Sequence, residues 1–135
     1  DGLESRGLGD VYKRQGQTAK LANQIIVGIT IGSVAEAIKL CQKNNVNPLN
    51  VLTALKGGWA DSKVLQTHGL RMIKNDFKPR GKNFSQFKDM NNIIDCAKNK
   101  NLELPLSRIV KNMYNKLIKK GLGNYDHSSL YKSYK

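Results

Sequence analysis

Apolar positions are distributed very unevenly along this chain. From Leu21 to Ala35 no charged side chain interrupts the run, although Asn23, Gln24, Thr30 and Ser33 keep it from being uniformly apolar. The pattern predicts a helix from Thr18 to about Asn44, apolar on nearly all sides and on the order of 40 Å long. Such a rod needs cover from other helices and from a partner subunit. The uncharged stretch falls short of the roughly 20 apolar residues that a bilayer crossing requires, so it reads as a core helix with no membrane role. Gly28 and Gly32 sit one turn apart within it and mark a close helix crossing.

Downstream, Asn47-Pro48 is an N-cap followed by a first-turn proline, and it opens a short helix carrying Leu49, Val51, Leu52 and Leu55 that stops at Gly57-Gly58. A third helix begins near Asp61-Ser62, presents Val64, Leu65 and His68, and runs toward Ile73 despite Gly69. Asp76 to Lys82 reads as a loop broken by Pro79 and Gly81. Phe84, Phe87, Met90, Ile93, Ile94 and Ala97 recur at helical spacing over Asn83 to Lys98. Pro105 starts a last helix with Ile109, Val110, Met113, Leu117 and Ile118 as its apolar face, ended by Gly121 and Gly123. Alternating strand patterns and internal repeats are absent, so the fold class is all-α, built around one long buried helix.

Charge changes the picture little. The net charge of +13 belongs to the main part of the chain, because Arg6, Lys13 and Arg14 cancel Asp1, Glu4 and Asp10 near the start. The cations are scattered, mostly lysine and interleaved with asparagine, as in Lys98-Asn99-Lys100-Asn101. That composition points to generic attraction for anions and to no specific nucleic acid. Cys41 and Cys96 fall inside predicted helices without metal-ligand spacing and read as small buried hydrophobes. His68 and His127 suggest no zinc site, so no metal is expected. The cysteine usage fits a reducing cytoplasm. Residues 1–15 lack apolar periodicity and read as a non-native leader, leaving 16–135 as the domain. Gly7-Leu8-Gly9 is no phosphate loop, since neither a strand nor a third glycine accompanies it.

The candidate chemistry lies at the head of the long helix, in Gly16-Gln17-x-x-Lys20-x-x-Asn23-Gln24. Spacings of three and four put Lys20, Asn23 and Gln24 on one helical face. An apolar wall and the positive pole of a helix N-terminus would both disfavour the ammonium and ease proton donation. From spacing alone an ordinary surface lysine beside solvating amides is the commoner arrangement.

Further elements follow in order: Glu36-Ala37, Asn47-Pro48, Gly57-Gly58-Trp59-Ala60-Asp61-Ser62, Arg71-Met72-Ile73, Asp76-Phe77-Lys78-Pro79, Lys88-Asp89, Leu104-Pro105-Leu106, Gly121-Leu122-Gly123 and Asp126-His127-Ser128-Ser129-Leu130. This series resembles the C-terminal half of the β-hydroxyacid dehydrogenases, the family of 3-hydroxyisobutyrate dehydrogenase and tartronate semialdehyde (2-hydroxy-3-oxopropionate) reductase. The resemblance implies the all-α C-terminal domain of 6-phosphogluconate dehydrogenase-like proteins. It also implies catalysis and oligomerisation by 16–135, with the dinucleotide-binding domain absent and the fragment inactive alone.

The implied reaction interconverts a short β-hydroxyacid and its semialdehyde with NAD or NADP, in a homodimer or homotetramer. Lys20 matches the catalytic lysine, Asn23 and Gln24 the substrate-binding amides, and Lys88 with Asp89 the pair that approaches the cofactor, Asp89 orienting Lys88. The Asn-Gln pair leans toward the tartronate semialdehyde reductase branch, with 3-hydroxyisobutyrate dehydrogenase or a non-catalytic oligomerisation module as alternatives. Trp59 reads as a core or interface aromatic, or as part of the substrate pocket. Asn45 stands where the family often has glycine, an exchange that asparagine tolerates in a left-handed turn. Asp126 with Ser128 reads as a helix cap.

Overall fold

A computed structural model describes residues 2–135, with side chains from residue 7 onward. Five α-helices follow one another: α1 (Gly2–Lys43), α2 (Pro48–Leu55), α3 (Lys63–Ile73), α4 (Asn83–Lys98) and α5 (Pro105–Lys119). A short 3-10 turn, His127–Ser133, closes the chain. The described residues contain no strand, only one isolated bridge between Lys82 and Asp126.

The long helix starts earlier than its apolar pattern predicts. Residues 2–15 hold no proline, and the strong helix formers Lys13, Arg14 and Gln15 let the register propagate outward from the packed part. Residues 7–20 are all exposed, so packing does not hold that extension. Burial is concentrated farther along, where Ile31, Val34, Ala35 and Ile38 line one side of α1. They meet Leu52, Leu65, Met72, Met90, Ile93, Val110, Leu117 and Leu130 in a single core.

Cover on α1 is therefore one-sided. Ile26 and Leu40 are each 66% exposed. By length and composition α1 would also serve as a membrane span, contrary to the shorter stretch counted in the sequence, and a third of its most apolar window is buried by the other helices.

The caps explain the other boundaries. Asn47 Oδ1 accepts from Leu49 N–H at 3.0 Å, and Ser62 Oγ from Leu65 N–H at 2.9 Å. At the opposite ends each helix is followed by a left-handed residue: Asn45, Gly57, Asn75, Asn101 and Gly121. Asn45 has φ 58°, the conformation expected of it in a position that suits glycine.

Two faces differ from the sequence reading. Helix α5 buries Ser107, Val110, Tyr114 and Leu117, while Ile109 is exposed, because Tyr114 Oη donates to His127 O at 2.8 Å and turns that face inward. Cys96 is exposed and Cys41 half-buried, so neither is the buried hydrophobe expected. Cys96 lies three residues beyond Ile93 in the last turn of α4, at the edge of its buried face.

The segment 122–127 clasps the loop before α4. Asn83 N–H donates to Tyr125 O, Asp126 N–H to Phe77 O and His127 N–H to Gly81 O. Asn83 Nδ2 donates to Leu122 O and to Ser129 Oγ, both at 2.8 Å. These bonds fix the start of α4, and with it the register of that helix against α1.

Candidate active site

The helices α1 and α4 cross where α1 has no side chain. At Gly28 an added Cβ would lie 2.9 Å from both Gln86 Nε2 and Met90 Sδ. One turn away, Gln24 Nε2 donates to Asp89 Oδ2 at 3.2 Å. Beside this contact opens a cleft of about 360 Å³, lined by Gln17, Lys20, Leu21 and Gln24 from α1 and by Asp89, Asn92 and Ile93 from α4. Each set has the three-and-four spacing of one helical face. The crossing thus joins an ammonium, a carboxylate and three carboxamides over a floor that includes buried Ile93.

Three of the expected site residues, Lys20, Gln24 and Asp89, come together in the cleft. Asn23 and Lys88 are exposed and lie outside its lining. Asp89 is engaged by Gln24, and among the described residues it forms no ion pair with Lys88.

The expected surroundings of Lys20 need correction. It is exposed, so no apolar wall encloses it, and the helix extends to Gly2, which puts the positive pole far from it. Trp59 belongs neither to the core nor to this cleft: it stands fully exposed, at 107%, on the turn between α2 and α3.

Asn92 was not singled out by sequence, although its position three residues after Asp89 carries the signal. A second polar cluster also escaped that reading. His68 Nε2 and His127 Nε2 approach to 2.9 Å, and His127 Nδ1 lies 3.1 Å from Gln86 Oε1. With Gln86 Oε1 as acceptor, His127 donates from Nδ1 and its Nε2 receives the proton of His68. Burial pushes the His68 imidazole down to about 4, helped by His127 and by the Arg71 guanidinium. Burial lowers His127 as well, against the attraction of Asp126. The two histidines pair with each other, and no group of three or more residues able to hold a metal ion occurs among the described residues.

Asp126 accounts for the end of the chain. Its side chain is wholly buried and accepts from Arg80 N–H, Gly81 N–H, Ser128 N–H, the Ser128 hydroxyl and the Arg71 guanidinium. It caps the 3-10 turn, as its spacing to Ser128 predicts.

Known proteins share this fold. The family model described as "NAD-binding of NADP-dependent 3-hydroxyisobutyrate dehydrogenase" matches residues 15–134. The chain is 41% identical over 115 residues to the 2-hydroxy-3-oxopropionate reductase of Escherichia coli K12, covering 85% of this chain and 39% of that protein. It is 33% identical over 117 residues to an oxidoreductase of Bacillus subtilis, covering 87% and 41%. A crystal structure of 3-hydroxyisobutyrate dehydrogenase from Salmonella typhimurium superimposes with a TM-score of 0.81 at 25% identity, over 87% of this chain and 41% of that one. The chain therefore spans about two-fifths of the length of the relatives it matches.

Proposed function

Because the chain belongs to the NAD-binding family of NADP-dependent 3-hydroxyisobutyrate dehydrogenases, we propose that it supplies the proton-handling half of an NAD(P)-dependent oxidoreductase. The reaction interconverts a short β-hydroxyacid and its semialdehyde, and the reading most like this chain is 2-hydroxy-3-oxopropionate reductase. The observation that carries it is the meeting of Lys20, Gln24 and Asp89 in one small cleft.

A cleft of about 360 Å³ suits a three-carbon acid and is too small for a whole dinucleotide. The residues present accordingly fit only the reactive end of the cofactor, with Asp89 inside the cleft and Lys88 on the same helix outside its lining as the groups that would face it. When bound, the nicotinamide gives or takes the hydride.

Lys20 then does the chemistry that belongs to this chain. In reduction its ammonium donates a proton to the oxygen that becomes an alkoxide, and in oxidation the neutral amine takes the alcohol proton. Gln24, oriented through its amide nitrogen by Asp89, keeps its carbonyl oxygen free to accept from the ammonium or the substrate hydroxyl. The solvent around Lys20 is displaced in this reading when a dinucleotide-binding domain closes over the cleft, which strengthens the interaction with the developing charge.

Oligomerisation is the second part of the proposal. An apolar groove of about 390 Å³ between α1 and α5 is lined by Ile29, Leu106, Ile109, Met113 and Tyr134, among others. A second copy of the chain covers this face as a homodimer or a dimer of dimers.

The test is a full-length enzyme that carries this chain after a dinucleotide-binding domain, assayed with both nicotinamide cofactors. Lys20→Ala lowers kcat by about 100-fold or more, the usual contribution of a positioned proton donor. Near-full turnover by that variant would remove Lys20 from the mechanism.

A further inference from the structure

We propose that Asn92 is the specificity-determining residue of the cleft, reading a hydroxyl on the carbon that bears the substrate carboxylate. The inference rests on the reductase reading above and names what that reductase selects. The two candidate semialdehydes share an aldehyde, a carboxylate and a three-carbon chain. They differ at one substituent: 2-hydroxy-3-oxopropionate carries a hydroxyl on its second carbon, and the semialdehyde of 3-hydroxyisobutyrate carries a methyl group there. Shape barely separates these groups, so discrimination requires a hydrogen-bonding partner.

The cleft offers one on the wall facing Lys20. Lys20 serves the reacting oxygen, and Gln24, its amide nitrogen held by Asp89 at 3.2 Å, keeps its carbonyl oxygen for the ammonium and the reacting hydroxyl. Asn92 lines the same cleft from α4, one turn beyond Asp89 and next to buried Ile93, and its carboxamide has no hydrogen-bond partner among the described residues. A carboxamide both donates and accepts, as a hydroxyl does, so the two satisfy each other. A methyl group displaces water from the amide and replaces neither bond. Gln17 also lines the cleft, on the same helix as Lys20, but its longer side chain loses more rotamer freedom on binding.

The experiment compares kcat/KM for the two semialdehydes in the full-length enzyme, for Asn92→Leu, Gln17→Ala and Lys20→Ala. Asn92→Leu should reduce the hydroxyl-over-methyl preference by roughly tenfold or more, with the loss falling on the hydroxyl substrate. An equal loss on both substrates, or a preference that collapses with Gln17→Ala instead, overturns the assignment while leaving the reductase reading intact. Full turnover of Lys20→Ala overturns that reading, and the assignment with it.

Side-chain amide resonances of this chain provide a readout independent of turnover. With millimolar 2,3-dihydroxypropionate the Asn92 amide should shift and saturate, and with 3-hydroxyisobutyrate it should not. Equal shifts, or none with either acid, also overturn the assignment.

Discussion

A carboxylate with no exposed surface survives as an anion only where donors replace its water, and Asp126 is such a case. Burial alone would raise its pKa, but the Ser128 hydroxyl, the N–H groups of Arg80 and Ser128 and the neighbouring His127 bring it down to about 2. Asp126→Ala removes the acceptor of all these bonds and leaves Arg71 unpaired. It should cost about 3 kcal/mol or more in urea unfolding, as breaking a buried pair does. A loss below about 1 kcal/mol would mean that water replaces the carboxylate at little cost.

The neighbouring histidines give this region a pH dependence of definite sign. The His68 imidazole is lowered from 6.5 to about 4 in the fold, so the unfolded chain binds more protons between those values. Stability is whole above the unfolded value and falls as pH drops toward about 4. The Asp126 contribution follows at lower pH, lost as pH falls from 3.8 toward about 2. Thermal midpoints should decline steadily between about pH 6.5 and 4, and His68→Gln should flatten that decline. A midpoint independent of pH across this window would show that the buried pair does not exclude protons. Beyond the Asp126 cap, none of this was visible in the sequence: His68 and His127, fifty-nine positions apart, became neighbours through tertiary packing alone.

At the level of whole elements, two glycines in the packed part of α1, Gly28 and Gly32, make opposite predictions. A Cβ at Gly28 would sit 2.9 Å from Gln86 Nε2 and Met90 Sδ, at the crossing that seats Gln24 on Asp89. At Gly32 the nearest atom is Leu130 Cδ2 at 3.7 Å, an ordinary contact. Gly32→Ala should therefore stabilise by about 0.5–1 kcal/mol through helix propensity. Gly28→Ala should destabilise by about 1–3 kcal/mol through overpacking. Unfolding midpoints of the two variants moving in the same direction would show that the crossing is looser than its contacts imply.

Element boundaries were legible wherever a local signal sets them. Asn47-Pro48, Ser62 and Pro105 each mark a helix start, and Asn45, Asn75 and Asn101 end helices in the left-handed conformation, giving part of the asparagine-rich composition a structural use. Propagation of α1 toward Gly2 carries no such signal. The inward face of α5 was legible at Val110 and Leu117 but not at Ser107 and Tyr114, which are polar by sequence, Tyr114 being buried with its hydroxyl on His127 O. In the cleft, helical spacing was enough to join Lys20 to Gln24, but which residue of α4 would meet them depended on the crossing at Gly28.

For the molecule as a whole, the decisive quantity is apolar surface left uncovered. Ile26 and Leu40 on α1 are each 66% exposed, with Leu106 and Ile109 on α5 at 61% and 57%. Single exposed apolar residues are ordinary, but Leu106 and Ile109 share a groove with Ile29, Met113 and Tyr134, the contiguous patch on which the proposed homodimer rests. A stable homodimer needs about 800 Å² from each subunit. Light scattering should therefore give the folded chain at least twice its 15.1 kDa mass. Ile109→Glu places a charge in the groove without touching the core or the Lys20 cleft, so it should shift the mass toward the monomer while the helical circular dichroism is preserved. A monomer before substitution, or an unchanged oligomer after it, would assign the groove to something other than a second copy. Flotation of the wild-type chain with lipid vesicles would then show whether the apolar length of α1 is drawn to a bilayer instead.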